Sequence, residues 1–354
     1  MPISRSFQAS KHEGVMRLKK RFFLFVGLMA MLVLAACGGG QANPANQDNA
    51  NGNSSSTGSS GQVKKFSIAT GTSSGTYFPV GVGIAKAIGE NPAYELNVES
   101  TGGSIQNLQL LNSGEVQLAL AASNTAFAAY NGEEPFEQPI KKLRAVAALY
   151  PEVFQFVVRQ DSGLNSIADL RGKKVAMGSP GSGTERTGRL ILEAHGLTYN
   201  DFKPEFISFS DAVTGMKDKT IDAAVVGAGV PTAAIVDAAA SMKIKLLQLD
   251  SEKFEAFVAS DPYFITTTIP AGTYEGVDDD VVSGASPALL IVSEEMDEQT
   301  VYEMTKALFE NLDKVKEAHA VAKNISLETA TKGVSIPFHP GAVKYYQEQN
   351  IEVK

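Results

Sequence analysis

The stretch Phe66–Glu90, FSIATGTSSGTYFPVGVGIAKAIGE, decides how the chain is read. An apolar run enters a Gly/Ser/Thr loop and leaves with apolar residues at helical spacing, which predicts strand, loop, helix. Phe66 and Ile68 suit a buried strand, Gly71 and Gly75 permit a tight turn with close backbone approach, and Pro79 fits a first helical turn. A helix that starts behind such a loop presents unpaired N–H groups and a partial positive charge, so it can hold a carboxylate or phosphate without a basic side chain. The design recurs about a hundred residues later in Lys174–Gly196, KVAMGSPGSGTERTGRLILEAHG. Two such helix starts facing one cleft predict a binding protein.

Upstream of the first stretch the chain reads as an address and a spacer. Arg17, Lys19, Lys20 and Arg21 precede an apolar run from Phe22 to Ala36, which is long enough for a signal-peptide core and short for a membrane span. The run ends in Leu34-Ala35-Ala36-Cys37, which resembles the bacterial lipoprotein signal and implies cleavage before Cys37 and lipid attachment there. Either Met1 or Met16 serves as the start on this reading, since the basic run hugs Met16. Residues 1–36 are therefore expected to be a signal peptide; with six Lys/Arg and one Glu, their removal takes the net charge from −8 to −13. Residues 37–62 carry no aliphatic or aromatic side chain larger than Ala once past Cys37, cannot bury a core, and read as a flexible tether on the lipid anchor. One acyl chain holds a protein marginally, so stable attachment needs the several chains that the lipoprotein pathway implies.

Cys37 is the only cysteine, which excludes an internal disulfide and a thiolate metal cluster. An acidic balance without basic clusters argues against nucleic acid as a partner. From Lys64 onward strand and helix patterns alternate, which predicts a parallel-rich sheet flanked by helices with ligand loops at the carboxyl ends of strands. Tyr94–Ser100, Val116–Ala121, Leu143–Tyr150 and Val153–Arg159 read as strands, the last two broken by Pro151. Val175–Gly178, Phe206–Phe209, Ile221–Val226 and Ile244–Leu249 read as strands of a second sheet. Residues 250–285 look less regular, after which Pro287–Ser293 reads as a strand and Val301, Met304, Leu308, Leu312 and Val315 mark one helix face. The expected organisation is two lobes crossed twice, residues 63–154 with 286–354 in lobe 1 and residues 155–285 in lobe 2.

Catalytic patterns are poorly matched. Gly71-Thr72-Ser73-Ser74-Gly75 fits the G-x-S-x-G elbow, with His195, His319 and His339 downstream as nominal bases, so a lipid-anchored serine hydrolase using Ser73 is the rival reading. The elbow would follow the first strand, however, and no acid and histidine are marked as its partners. The histidines lack paired metal spacing, no Walker loop exists, and Gly178–Gly183 has the wrong order for a dinucleotide fingerprint. No catalytic residue, metal or cofactor is expected.

Several stretches together carry a family likeness over nearly all of the chain after the tether. They are Thr70-Gly-Thr-Ser-Ser-Gly-Thr-Tyr-Phe-Pro, Thr101-Gly-Gly-Ser with Asn107-Leu, Leu149-Tyr-Pro-Glu, Gly178-Ser-Pro-Gly-Ser-Gly-Thr-Glu, Thr305-Lys-Ala-Leu-Phe-Glu-Asn and Ile336-Pro-Phe-His-Pro-Gly-Ala. Their order and spacing resemble TAXI-type solute-binding proteins, the extracytoplasmic components of a class of TRAP transporters. The resemblance implies an α/β, two-lobed periplasmic-binding-protein-like (type II) fold that closes on a small organic acid, a dicarboxylate or an amino acid such as glutamate or 2-oxoglutarate. It also implies delivery to a TRAP-type integral membrane permease; with the lipid anchor read at Cys37, a monomeric receptor held outside the cytoplasm is expected. Carried onto this sequence, the implied contacts are Thr72, Ser73, Thr76 and Tyr77 from the first helix start and Ser104 from the second loop. Ser182, Gly183, Thr184 and Glu185 come from the other lobe, and Tyr150 lies near the crossing strand. Asn124 stands where that family more often has Asp, so a contact to a cationic group is not carried over there and the ligand's chemistry stays open. A sensory binding protein that serves a receptor instead of a permease fits the same residues.

Overall fold

The computed structural model describes residues 63–353 apart from Pro262. The expected signal peptide, Cys37 and the tether lie outside the described residues. The chain runs β1 (Lys64–Ala69), α1 (Tyr77–Gly89), β2 (Tyr94–Glu99), α2 (Ser104–Ser113), β3 (Leu118–Ala122), α3 (Ser123–Asn131) and β4 (Leu143–Arg159). It continues through β5 (Lys174–Ala176), α4 (Gly183–Ala194), β6 (Lys203–Glu205), α5 (Phe209–Lys217), β7 (Ala223–Ala228), α6 (Ala233–Ser241) and β8 (Ile244–Leu247). It closes with α7 (Ser251–Ser260), β9 (Ile265–Ile269), β10 (Val281–Ser293), α8 (Glu298–Glu310), α9 (Leu312–Ala318) and α10 (Pro340–Glu348).

The strands form one hydrogen-bonded sheet in the order β2-β1-β3-β10-β4-β7-β5-β6, with β8 added to β4 and β9 to β10. The expected second sheet is therefore continuous with the first, because β4 and β10 are long enough to serve both. The pairs β1/β2, β1/β3, β5/β6 and β5/β7 are parallel, and the pairings of β4 and β10 are antiparallel. Residues 143–153 of β4 lie against β10, residues 153–158 pair with β7, and residues 156–159 pair with β8. Pro151 does not break the strand in two as expected. It sits opposite Pro287 of β10 beside a register shift, where neither residue needs the ladder N–H it lacks.

Other boundaries also moved. The strand expected at Phe206–Phe209 lies earlier, at Lys203–Glu205, since Ser208 caps α5 by accepting a hydrogen bond from the Asp211 N–H and so starts the helix at Phe209. Asn311 divides the long C-terminal apolar face into α8 and α9, with φ −123° and ψ 37° outside the helical range. Residues 250–285 hold α7 and β9. Gly196, at φ 79°, ends α4 as expected of a glycine just past a helix.

Four apolar clusters fill the interior on both faces of the sheet. Two draw on residues 66–150 and 288–353, with Ile68, Ile84, Leu120, Leu290, Leu308 and Tyr346 in one and Leu108, Ala121, Leu143 and Ile291 in the other. The remaining two draw on residues 153–285, around Met216, Val226 and Ile235 and around Phe154, Met177, Ile191 and Phe254. The change of cluster along β4 and β10 falls at the facing prolines. Among the described residues no helix is long and apolar enough to cross a membrane.

Candidate functional site

The cleft is built from three helix starts. Tyr77, Ser104 and Gly183 are the first residues of α1, α2 and α4, and all three line one cavity of about 40 Å³. That volume has room for about three water molecules.

Short-range polar bonds set these helix starts in place. Asn107 is wholly buried; its Nδ2 donates to the carbonyls of Thr70 and Leu120, and its Oδ1 accepts from Thr101 Oγ1, so one amide ties the loops after β1 and β2 together. Gly103 precedes α2 at φ 119°, in the region that favours glycine. Ser182 caps α4 by accepting from the Glu185 N–H at 3.1 Å. The backbone N–H of Gln106 donates to the Gly181 carbonyl at 3.0 Å, so the first turn of α2 is bonded directly to the loop before α4. A Cβ on Gly183 would lie 2.7 Å from Ser104 Oγ.

Seven of the expected contact residues, Thr72, Thr76, Tyr77, Ser104, Ser182, Gly183 and Thr184, line the cavity. Thr76 Oγ1 accepts from the Gly229 N–H at 3.1 Å, and Thr184 Oγ1 donates to the Gly227 carbonyl at 3.3 Å. The other four lie off the lining. Ser73 is exposed on the outer side of its loop. Asn124 is buried and donates through Nδ2 to Thr187 Oγ1 at 2.8 Å. Glu185 turns away to Tyr199 and Arg189. Tyr150 is packed in the core, where burial pushes its phenol well above the ordinary range.

Glu152, within the Leu149-Tyr-Pro-Glu stretch and outside the expected contacts, is the one carboxylate on the lining. It lies on β4 next to the facing prolines and is 4% exposed. Tyr77 Oη donates to its Oε2 at 2.7 Å and sits 3.3 Å from Ser104 Oγ. Removal from water pushes the carboxyl up to about 7, opposed by the Tyr77 hydrogen bond. The Tyr77 phenol is itself driven well up by burial and by Glu152. The signal in the sequence is a single acidic residue in the middle of a mostly apolar strand, LRAVAALYPEVFQFVVR. Glycines and Ser179 of the same loops add to the lining, and Phe209, Gly227 and Ala228 join it from elements that only tertiary structure brings near.

A nucleophile relay is not assembled around Ser73. Nδ1 of His195 contacts the Ile191 carbonyl and Nε2 accepts from the Asp250 N–H. Nδ1 of His319 caps Val321, and the ring of His339 lies between the Gly341 N–H and the Met296 carbonyl. Each ring serves local backbone, and burial lowers the basicity of all three. Among the described residues no group of three or more His, Cys, Asp or Glu is placed to hold a metal ion.

Comparison with solved structures places this architecture. The periplasmic binding protein BugD is similar at 12% identity, over 81% of this chain and 94% of that one, with a TM-score of 0.51. A protein of Bordetella bronchiseptica RB50 is 18% identical over 80% of this chain and 88% of that one, with a TM-score of 0.50. The ligand-binding component of an ABC-type import system from Staphylococcus aureus is 13% identical over 81% and 92% of the two chains, with a TM-score of 0.48. The likeness to BugD gives the fold as the mixed α/β fold of the two-lobed periplasmic binding proteins. Residues 68–349 match the model of the NMT1-like family, and the chain belongs to that family.

Proposed function

We propose that the protein is an extracytoplasmic solute-binding lipoprotein that captures a small organic acid, a dicarboxylate or an amino acid, and delivers it to a TRAP-type permease. The observation that carries the solute-binding reading is the convergence of three helix starts on one cavity lined by hydroxyls and glycine backbone. Unpaired N–H groups at helix starts favour an anion, and the fixed partial charge needs no basic side chain. The TAXI membership, the lipid anchor at Cys37 and the permease partner rest on the sequence resemblance. Lobe 1 (63–154 with 286–354) and lobe 2 (155–285) close by bending where β4 and β10 cross, with the facing prolines Pro151 and Pro287 as the hinge point.

Thermal melts of the purified chain against a panel of organic and amino acids test the reading. A bound ligand raises the melting temperature by mass action, so no shift with any panel member sinks it. Replacing Ser182 and Thr184 by Leu should abolish a shift. Uptake measurements in cells then separate the transport classes: a TRAP partner requires uptake to stop when ion gradients are dissipated, and uptake that follows ATP alone excludes it. Uptake unchanged by loss of the protein would favour a sensory role.

A further inference from the structure

We propose that Glu152 is a ligand-contacting, specificity-determining residue that holds a proton whenever the cleft holds an anion, so that the protein takes its carboxylate ligand together with one proton drawn from solvent. The inference rests on the solute-binding reading and deepens it. Helix starts invite an anion into this cavity, yet Glu152 is on its wall and no Lys, Arg or His is. Tyr77 occupies Oε2, and among the described residues Oε1 accepts no hydrogen bond. Oε1 is therefore the atom that a proton can occupy and from which a neutral carboxyl can donate to a guest.

Surrounding elements supply no countercharge. The strands β7 (AAVVGA) and β10 (VVSGASPALLIVS) and the helix α2 (SIQNLQLLNS) contain no ionisable residue. On α1 the group that faces Glu152 is Tyr77, on β4 it is Tyr150, and Tyr130 is the one titratable residue of α3. On α4, Glu185 is bound to Tyr199 and Arg189, while Arg186 donates to the Glu134 carbonyl and pairs with Glu133. Burial, opposed by the Tyr77 hydrogen bond, already lifts the Glu152 carboxyl to about 7, and a second carboxylate within the same small cavity lifts it further. Two carboxylates so close, with no cation between them, share a proton.

Titration calorimetry of the purified chain with succinate, 2-oxoglutarate and L-glutamate, from pH 6 to 9 in two buffers of different ionisation heat, tests this. Affinity for a dicarboxylate should fall about tenfold per pH unit above the Glu152 midpoint, with uptake approaching one proton per ligand. Glu152→Gln should flatten the profile and remove the proton uptake. Should that variant fail to fold, Tyr77→Phe, which deletes the hydrogen bond favouring the ionised form, should move the break to higher pH. Binding without proton uptake and without pH dependence overturns this inference alone. Binding confined to L-glutamate and abolished in Glu152→Gln also overturns it, since an ionised Glu152 would then be pairing with an ammonium group. No binding of any probe at any pH removes the solute-binding reading and this inference with it.

Discussion

In the ligand-free protein, Glu152→Gln should raise stability at pH 8 and leave it nearly unchanged at pH 4. The Glu152 carboxyl is held at about 7 in the folded chain against 4.5 for the free side chain. Below 4.5 both folded and unfolded chains carry the proton, and a neutral carboxyl and an amide are close equivalents, both able to accept from Tyr77. Between 4.5 and 7 the unfolded chain loses its proton first, so the folded state binds more protons and stability falls as pH rises. The loss is complete above 7. At about 1.4 kcal/mol per pH unit, the interval comes to about 3 kcal/mol at pH 8. At 4% exposure there is little solvent to reduce that figure. Urea unfolding of both proteins, followed by circular dichroism at pH 4 and pH 8, gives the two differences. Other titrating groups, including the histidines, cancel when variant is compared with parent. An equal difference at both pH values would refute the reasoning, because it would mean that Glu152 ionises where an exposed glutamate does.

Other substitutions test the frame of the site. Thr76→Val removes the acceptor of the buried Gly229 N–H and should cost about 1–3 kcal/mol in chemical unfolding. Asn107→Leu leaves the Thr70 and Leu120 carbonyls without their amide donor and should cost about 2–4 kcal/mol by the same assay. Gly183→Ala places a methyl 2.7 Å from Ser104 Oγ and 2.9 Å from its Cβ, so ligand binding by calorimetry should weaken at least about tenfold, or 1.4 kcal/mol. Arg171→Ala breaks an exposed ion pair with Asp201 and should change unfolding free energy by less than about 1 kcal/mol.

The parts of this molecule that sequence makes legible are those decided locally. Pro79 in the first turn of α1, Gly114 at φ 81° after α2 and Gly196 after α4 act through their own backbone, and each stands where its chemistry requires. The Gly/Ser/Thr loops are readable for the same reason. They bring Thr72, Thr76, Tyr77, Ser104, Ser182, Gly183 and Thr184 to one cavity, because starting a helix already fixes where those residues point. Longer-range choices were hidden. Pro151 reads as a strand break until Pro287 is known to face it, and the sheet reads as two until β4 and β10 are seen to span both parts. Asn124 and Glu185 stand beside the right loops, yet Thr187 and Tyr199 offer them partners elsewhere.

The division between local and distant causes also separates two kinds of electrostatics in the cleft. The helix starts attract an anion through backbone N–H groups, which do not titrate, so their contribution is the same at pH 6 and pH 9. Glu152 opposes an anion only once it has lost its proton, and its position depends on β4, α1 and β10 meeting at the crossing. Any pH dependence of binding in this range must then come from the guest's own ionisation or from Glu152, since the Tyr77 phenol is driven well above it. Succinate and 2-oxoglutarate are fully ionised well before pH 8, where their affinities should still be falling. A decline that persists from pH 7.5 to 9 therefore isolates the protein's carboxyl, and its absence in Glu152→Gln assigns it.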